Sequence, residues 1–519
     1  MEPATRPRRY GATDSSASEV PMSPVPGEAD RYLPVAIIFL MLIIDGLGFA
    51  VALAPQTRLF EDIVCRQYYS RNAGDALGLA REDGCKISAV QDVVAQLFGW
   101  QTFFDGIPGL VLAMYFGVLA DTRGRSAVLF WSMAGQLLGM SWLLMICWLE
   151  LPLQLTWLSS LFLVIGGGGT VTSAVSMMVL TDSTSEDNRS RVFFLGQAVL
   201  IVSEIIGPAL SSATMEKSLW LPLSIALACT VTTTVLAGVM PETLPHGRDN
   251  RPLDPDYVRK PGHVERGLRG RLSVIWRHTS STLGFIISHS SILYLVVTFL
   301  VVDYSRQSLG ILLQYISLRY SVSISRANLV LSFKAFAQLA TFALVLPAVD
   351  AFVVKHLRVS AESKDLWLSR LSVGLLAIGF AVLVLAPSLP LVFVALVIYT
   401  LGSGFNAFAR SLLSSLVESH MIGTLFTTLA MMDTTGSLLA GPMVAGTFSW
   451  SLKFTGMARG LPYMFSFVIC SLAMLALARV GVARSTVEDE ECRPIIDGEP
   501  EEDVPRPLTE AVEPSTGCL

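Results

Sequence analysis

Charge is scarce in this chain. Asp, Glu, Lys and Arg make up 15% of its 519 residues, against the ~25% of an ordinary soluble domain. A water-soluble fold of this length would need far more polar surface. Histidine is also sparse, and the six present form neither an H-E-x-x-H pattern nor a His–Asp cluster. The seven cysteines show no metal-ligand spacing. No metal or cofactor is therefore expected, and an enzyme embedded in a membrane has no visible catalytic centre. The G-x-x-x-x-G-K-[ST] phosphate loop is missing, which argues against a built-in ATP-driven motor. No basic face suits nucleic acid. The net charge of −5 comes from an acidic tail carrying Glu488 to Glu491 and Glu501 to Asp503. Residues 1–31 are polar and lack the short apolar core and cleavage signature of a secretory signal.

Apolar residues, by contrast, are abundant. They make up 52% of the chain, and mean hydropathy is +0.56. They come in blocks near the ~20 residues that a helix needs to cross a bilayer. Twelve runs stand out, at 33–55, 91–118, 127–149, 157–181, 192–213, 219–240, 285–315, 327–350, 369–387, 389–417, 422–447 and 461–480. A hydrophilic stretch splits them six and six. The expected organisation is a disordered N-tail (1–31), a six-helix bundle (32–240), a central loop (241–282), a second six-helix bundle (283–482) and a disordered acidic C-tail (483–519). With both termini cytoplasmic, 24 Lys and Arg fall on the cytoplasmic side and 10 on the other, in line with the positive-inside rule. The expected location is the plasma membrane, with a vacuolar or vesicle membrane as the alternative.

The halves echo one another. Spans 2 and 8 end in Asp121 and Asp350. Span 4 has glycines at 166–169 and ends in Asp182, while span 10 has Gly402 and Gly404 and ends in Glu418. Gly207-Pro208 in span 5 matches Gly441-Pro442 in span 11. Parallel six-plus-six repeats are a transporter plan with the binding site between the halves. The fold class expected is all-α, with twelve transmembrane helices in two pseudo-symmetric six-helix bundles.

After span 2 the chain reads Gly117-Val-Leu-Ala-Asp121-Thr-Arg123-Gly124-Arg125-Ser126. Gly117 permits close helix approach and Gly124 a tight turn. Asp121 is suited to a helix N-terminus or an arginine. This segment resembles the signature of the major facilitator superfamily, with Thr122 and Ser126 where basic residues are common. The resemblance implies that the cluster locks one conformation during alternating access. Ala54 to Glu61, Gly99 to Gly109 and Lys364 to Arg370 look like fungal members of that family, many of them tied to secondary-metabolite export. Proton-coupled folate-type importers are more distantly similar. Gly207-Pro208 resembles an antiporter motif of span 5, with Ser203 and Ser211 at two of its glycine positions. A plain proline kink is the alternative reading. Gly166 to Gly169 read as close helix packing.

Ionisable residues at bilayer depth are costly and are functional candidates by default. Asp45, Asp105, Glu204, Lys334, Arg410 and Asp433 are the candidates for substrate or proton binding. Asp105 and Lys334 occupy matched positions in the two halves, and a pairing that changes on binding is one possibility; fixed contacts with other neighbours are the other. Asp303 and Arg306 share a helix face and are expected to neutralise each other. A carboxylate held away from water exchanges its proton closer to neutral pH, as proton coupling requires. Cys65 and Cys85 fall in the stretch 56–90, read as a long extracytoplasmic loop, where a disulfide between them is expected and two free thiols are the alternative. The only sequon, Asn188-Arg189-Ser190, is expected on the cytoplasmic side and so unused.

These observations favour a monomeric secondary transporter of a small organic solute, driven by protons. The leading expectation is an exporter of a secondary metabolite or drug-like compound. An importer of an organic nutrient or anion is the alternative, and a non-transporting sensor is a remote one.

Overall fold

The computed structural model describes residues 28–72, 82–184, 186–243, 290–349, 352, 361–416 and 422–479. The tails at 1–27 and 483–519, most of the central loop, Asp350 and Glu418 lie outside these residues. The described chain is helical. Twelve helical segments follow one another: α1 (Glu28–Asn72), α2 (Ser88–Arg123), α3 (Arg125–Trp148), α4 (Leu153–Ser183), α5 (Glu186–Met215), α6 (Trp220–Val239), α7 (Leu293–Tyr320), α8 (Ile324–Val349), α9 (Ala361–Leu385), α10 (Leu389–Leu413), α11 (Ile422–Ser451) and α12 (Leu461–Ala478). They correspond one for one to the twelve apolar runs. Large side chains on their outer faces remain uncovered, such as Trp148 (72% exposed), Leu344 (69%) and Leu475 (65%). That is the surface a hydrocarbon solvent demands and water would penalise.

Helix α1 departs from expectation. The stretch 56–90 is not a long loop, because α1 runs on to Asn72 and α2 starts at Ser88. Hydropathy falls after Pro55, yet Leu59, Phe60, Ile63 and Val64 recur at helical spacing. They pack on Val90, Val94 and Leu97 of α2 and on Leu144 and Cys147 of α3. The apolar face supports the helix although its other face is polar. Cys65 and Cys85 are joined as a disulfide, with Cα atoms 5.4 Å apart, and this crosslink ties the projecting end of α1 to the start of α2. That end of the molecule is called the disulfide end below. The end carrying the Gly117–Ser126 turn is called the motif end.

Helix α2 bends by 50° between Ala113 and Tyr115, α8 carries a π turn at Thr341–Val345, and three further spans are interrupted. Helix α4 breaks at Leu163–Ile165, followed by left-handed Gly167 (φ 79) and Gly168 (φ 66). A Cβ on Gly166 would lie 2.3 Å from the Ser132 backbone, so α3 and α4 touch here main chain to main chain. Helix α10 breaks at Gly402–Gly404, where a Cβ on Gly402 would lie 2.6 Å from Ser372 O of α9. The repeated glycines thus mark equivalent breaks in the two halves, each made by close packing on the preceding span. Helix α7 breaks at Leu309–Ile311. Pro208 and Pro442 lie inside continuous helices.

The halves meet at the disulfide end. There α2 crosses α11, Gln96 Nε2 donating to Ser449 Oγ at 2.8 Å and Ser88 Oγ to Leu452 O at 3.3 Å. On the other flank α5 meets α8, with Ser212 Oγ donating to Ser325 O (2.8 Å) and Ser325 Oγ to Ser212 O (3.1 Å). Asn328 Nδ2 donates to Pro208 O at 2.9 Å. Lys86, next to the disulfide, reaches Val322 O at 2.8 Å. At the motif end a Cβ on Gly117 would meet nothing within 4 Å. Among the described residues, the close helix approach expected at Gly117 is absent, and the contacts between halves lie at the opposite end.

Candidate functional site

Two apolar clusters stabilise the first half, and a polar layer separates them. Toward the motif end Met41, Phe116, Met133 and Val175 are buried together. Toward the disulfide end the cluster of Leu59, Phe60, Val94 and Leu97 begins. Between them α1 places Asp45, α2 places Gln101 and Asp105, and α3 places Gln136. These side chains face a cavity of about 630 Å³. The second half supplies Arg306 from α7 and Asp433 and Ser437 from α11 to the same cavity. A polar chamber at mid-span, walled by both halves, is what solute binding within a membrane protein requires.

Asp105 is held by neutral donors. Gln101 Nε2 donates to its Oδ1 at 2.8 Å, and Ser160 Oγ does so at 2.5 Å. The same Gln101 nitrogen lies 2.9 Å from Ser159 Oγ. The irregular start of α4 turns both buried serines toward α2. Asp45 has no hydrogen-bond partner among the described residues, so its carboxylate meets the cavity directly. Asp45 and Asp105 thus share one chamber with different surroundings: one carboxylate is fixed, the other unclaimed.

A second cavity of about 350 Å³ adjoins the first, with Phe49, Thr102 and Arg306 lining both. Glu204 of α5 and Lys334 of α8 face each other across it at 3.8 Å. Asp105 and Lys334 therefore do not pair in this structure; each has its own neighbours. Their matched positions in the sequence repeat do not bring them together, because Lys334 of α8 points toward Glu204 of α5. On the second half, Arg306 Nη2 lies 2.9 Å from Asp303 Oδ1 and Arg410 Nη2 2.8 Å from Asp433 Oδ2. The first pair lies along one helix; the second joins α10 to α11.

At the motif turn the central group is Arg125, buried at 6% exposure. Its guanidinium pairs with Asp182 at the end of α4 and donates to Met178 O at 2.7 Å. Asp121 is peripheral, half-exposed and 3.8 Å from Arg125. Arg123 is exposed. Gly124 sits at φ 112, a conformation that favours glycine. Glu242, just after α6, accepts from Arg125 N at 2.9 Å, Ser126 N at 3.2 Å and Ser126 Oγ at 2.7 Å. A carboxylate at the N-terminus of α3 satisfies free amides and meets the positive end of the helix dipole. A Cβ on Gly124 would fall 2.3 Å from that carboxylate. Glu242 escaped the sequence reading. The available signal was a lone carboxylate in Pro241-Glu242-Thr243-Leu244-Pro245, directly after an apolar run.

The paired Gly-Pro positions differ in what they pack against. A Cβ on Gly207 would come within 2.4 Å of Ala50 Cβ, so α5 lies tightly on α1 inside the first half. A Cβ on Gly441 would come within 2.7 Å of Gly99 O, on the seam between the halves. Pro208 O accepts from Asn328 Nδ2 of the opposite half as well as from Ser212 Oγ of its own helix, giving the Gly-Pro position an inter-half contact.

Comparison with known proteins agrees with this architecture. The family model described as Major Facilitator Superfamily matches residues 38–441. An MFS efflux pump of Emericella nidulans, atnC, is 36% identical over 433 residues, covering 82% of this chain and 83% of that one. The efflux pump ustT of Aspergillus flavus is 29% identical over 454 residues, covering 86% and 88%. Among solved structures, a D-xylose-proton symporter superposes with a TM-score of 0.57 at 14% identity, covering 86% of this chain and 98% of that one. The nucleoside transporter NupG gives 0.55 at 13% identity, covering 86% and 99%. These two likenesses concern the fold.

Proposed function

This chain belongs to the major facilitator superfamily, and from that membership we propose that it is a proton-coupled exporter of a small organic solute. The observation carrying the proposal is the mid-span chamber of about 630 Å³ that both halves line, with Asp45, Asp105 and Asp433 in its wall. Its volume suits a secondary metabolite or drug-like molecule. The efflux pumps among its relatives support export as the direction. Both termini are cytoplasmic in this reading, so the contacts at the disulfide end form the outer gate. The described conformer is then closed to the outside. Alternating access consists of breaking the α2–α11 and α5–α8 contacts while the motif ends draw together. Arg125, Asp182 and Glu242 stiffen the motif end of the first half, so that it moves as one body. The protein acts as a monomer in a plasma membrane or an internal one.

The test is retention of a panel of labelled drug-like compounds in yeast lacking its own efflux carriers. Expression of this chain is expected to lower the retained amount of at least one compound severalfold, and a protonophore to abolish the effect. Asp45→Asn, Asp105→Asn and Asp433→Asn are each expected to weaken coupling by about tenfold, the equivalent of 1.4 kcal/mol. Retention that rises with expression would make the chain an importer. Unchanged coupling in all three variants would remove these carboxylates from the proton path.

A further inference from the structure

Asp303 is the most buried acidic side chain near the chamber, at 3% exposure. Its Oδ1 faces Arg306 at 2.9 Å. Its Oδ2 is shielded from solvent, and no donor among the described residues reaches it. An orphan carboxylate oxygen in such a place is costly. Asp433 of α11 stands one turn before Gly436 on the face that packs against Asp303, so a second carboxyl group faces the first. The two helices are close here because Gly436, three residues after Asp433, has no side chain. A Cβ on Gly436 would lie 3.5 Å from Asp303 Cβ and 3.7 Å from Asp303 Oδ2. Two ionised carboxylates offer only lone pairs to each other. A proton between them turns that repulsion into a short, strong hydrogen bond and satisfies the orphan oxygen.

We infer that Asp303 and Asp433 hold one proton between them, and that this shared proton is the ion coupled to transport. The second half of the inference rests on the function proposed above; the first half rests on the packing of α7 on α11 and the orphan oxygen of Asp303. The surrounding charges work against the proton and so keep it exchangeable. Arg306 on α7 and Arg410 on α10 each hold one member of the pair. Two arginines and two carboxylates sum to zero when empty and to +1 with the proton. From α10, the Tyr399 hydroxyl lies in the field of Asp303 and Arg306. From α12, Cys470 Sγ lies 3.0 Å from Ser305 Oγ, next to Asp303 in sequence. Glu204 and Lys334 face the Arg306 side from across the second cavity. No further cation among the described groups competes for Asp303 Oδ2. Asp433 and Arg306 both line the chamber, so the proton has a route in from the solute side. Losing it leaves two like charges across the α7–α11 contact. Helix α11 also forms the seam with α2, so repulsion there is transmitted to the gate.

Infrared pH-difference spectroscopy of the full chain in lipid vesicles tests this without a substrate. The wild type is expected to show a protonated-carboxyl C=O band that shifts in D₂O and disappears as pH rises. Asp303→Asn and Asp433→Asn should each remove it, because either change dissolves the pair. Asp45→Asn and Asp105→Asn should leave it in place. Arg410→Gln, which keeps both carboxyls, should move its disappearance to higher pH. A band that survives in either pair variant, or two independent bands that each vanish with one residue, would overturn the shared proton. Coupling is judged separately. If the band behaves as expected but proton-driven efflux persists in Asp303→Asn, the pair is structural and the exporter reading stands. Efflux absent already in the wild type would instead sink the exporter reading and leave the pair untouched.

Discussion

Gly441→Leu is expected to cut transport by at least about tenfold while leaving the protein folded. A Cβ at this position meets Gly99 O at 2.7 Å and Thr102 Cβ at 2.9 Å, and from the other side a Cβ on Gly99 would meet Ala445 Cβ at 2.5 Å. Both glycines therefore serve one backbone-to-backbone crossing of α2 and α11. Forcing extra atoms into such a contact costs about 1–3 kcal/mol. The cost falls on the conformer in which the disulfide end is shut, because only there do the two backbones touch. A differential of 1.4 kcal/mol shifts the balance between conformers about tenfold. The variant should thus reside mainly with the disulfide end open. Its melting temperature in detergent should stay near that of the wild type, while efflux falls. Gly446→Leu is the control on the same helix, since a Cβ there meets nothing within 4 Å. Equal loss in both variants would mean that leucine on α11 harms the protein for another reason.

Arg125→Ala is expected to act on stability instead. The guanidinium is buried, pairs with Asp182 and donates to Met178 O. Removing one partner of a buried pair leaves an uncompensated charge and costs about 3–5 kcal/mol. The lower end applies, because the Asp182 side chain keeps 21% of its exposure. The melting temperature should drop by several degrees. Arg125→Ala combined with Asp182→Asn should recover part of that loss, since the orphan charge is then gone. Arg125→Lys should not restore it fully, because one ammonium cannot reproduce the forked donor geometry. If the double variant melts no higher than Arg125→Ala, the ion pair is not the source of the effect.

Twelve apolar runs were legible because a bilayer imposes a length on every span, and length is written directly in sequence. The glycine repeat was legible too: Gly166 to Gly169 and Gly402 to Gly404 both proved to be breaks where neighbouring helices touch. The continuation of α1 past Pro55 was hidden by its polar face, which lowers hydropathy without disfavouring a helix. Partners were harder still. Asp105 and Lys334 match in the sequence repeat, but a position in a repeat carries no rotation about the helix axis, and Lys334 turns to Glu204. Asp303 and Arg306 could be paired from their spacing. The second carboxyl against Asp303 comes from α11, 130 residues away in sequence, and no local pattern encodes it. Glu242 lies in a short polar segment after α6, where nothing but its flanking prolines draws notice.

Ser437→Cys offers the most direct test of whether the chamber is reached alternately from the two sides of the membrane. The side chain lines the chamber on α11. With Cys229, Cys492 and Cys518 replaced by Ser, sealed vesicles of either orientation are exposed to a membrane-impermeant maleimide across a range of pH. Alternating access predicts that the introduced thiol reacts from both faces, with Gly441→Leu shifting reactivity toward the disulfide face. Reaction from one face alone at every pH, with or without Gly441→Leu, would contradict it.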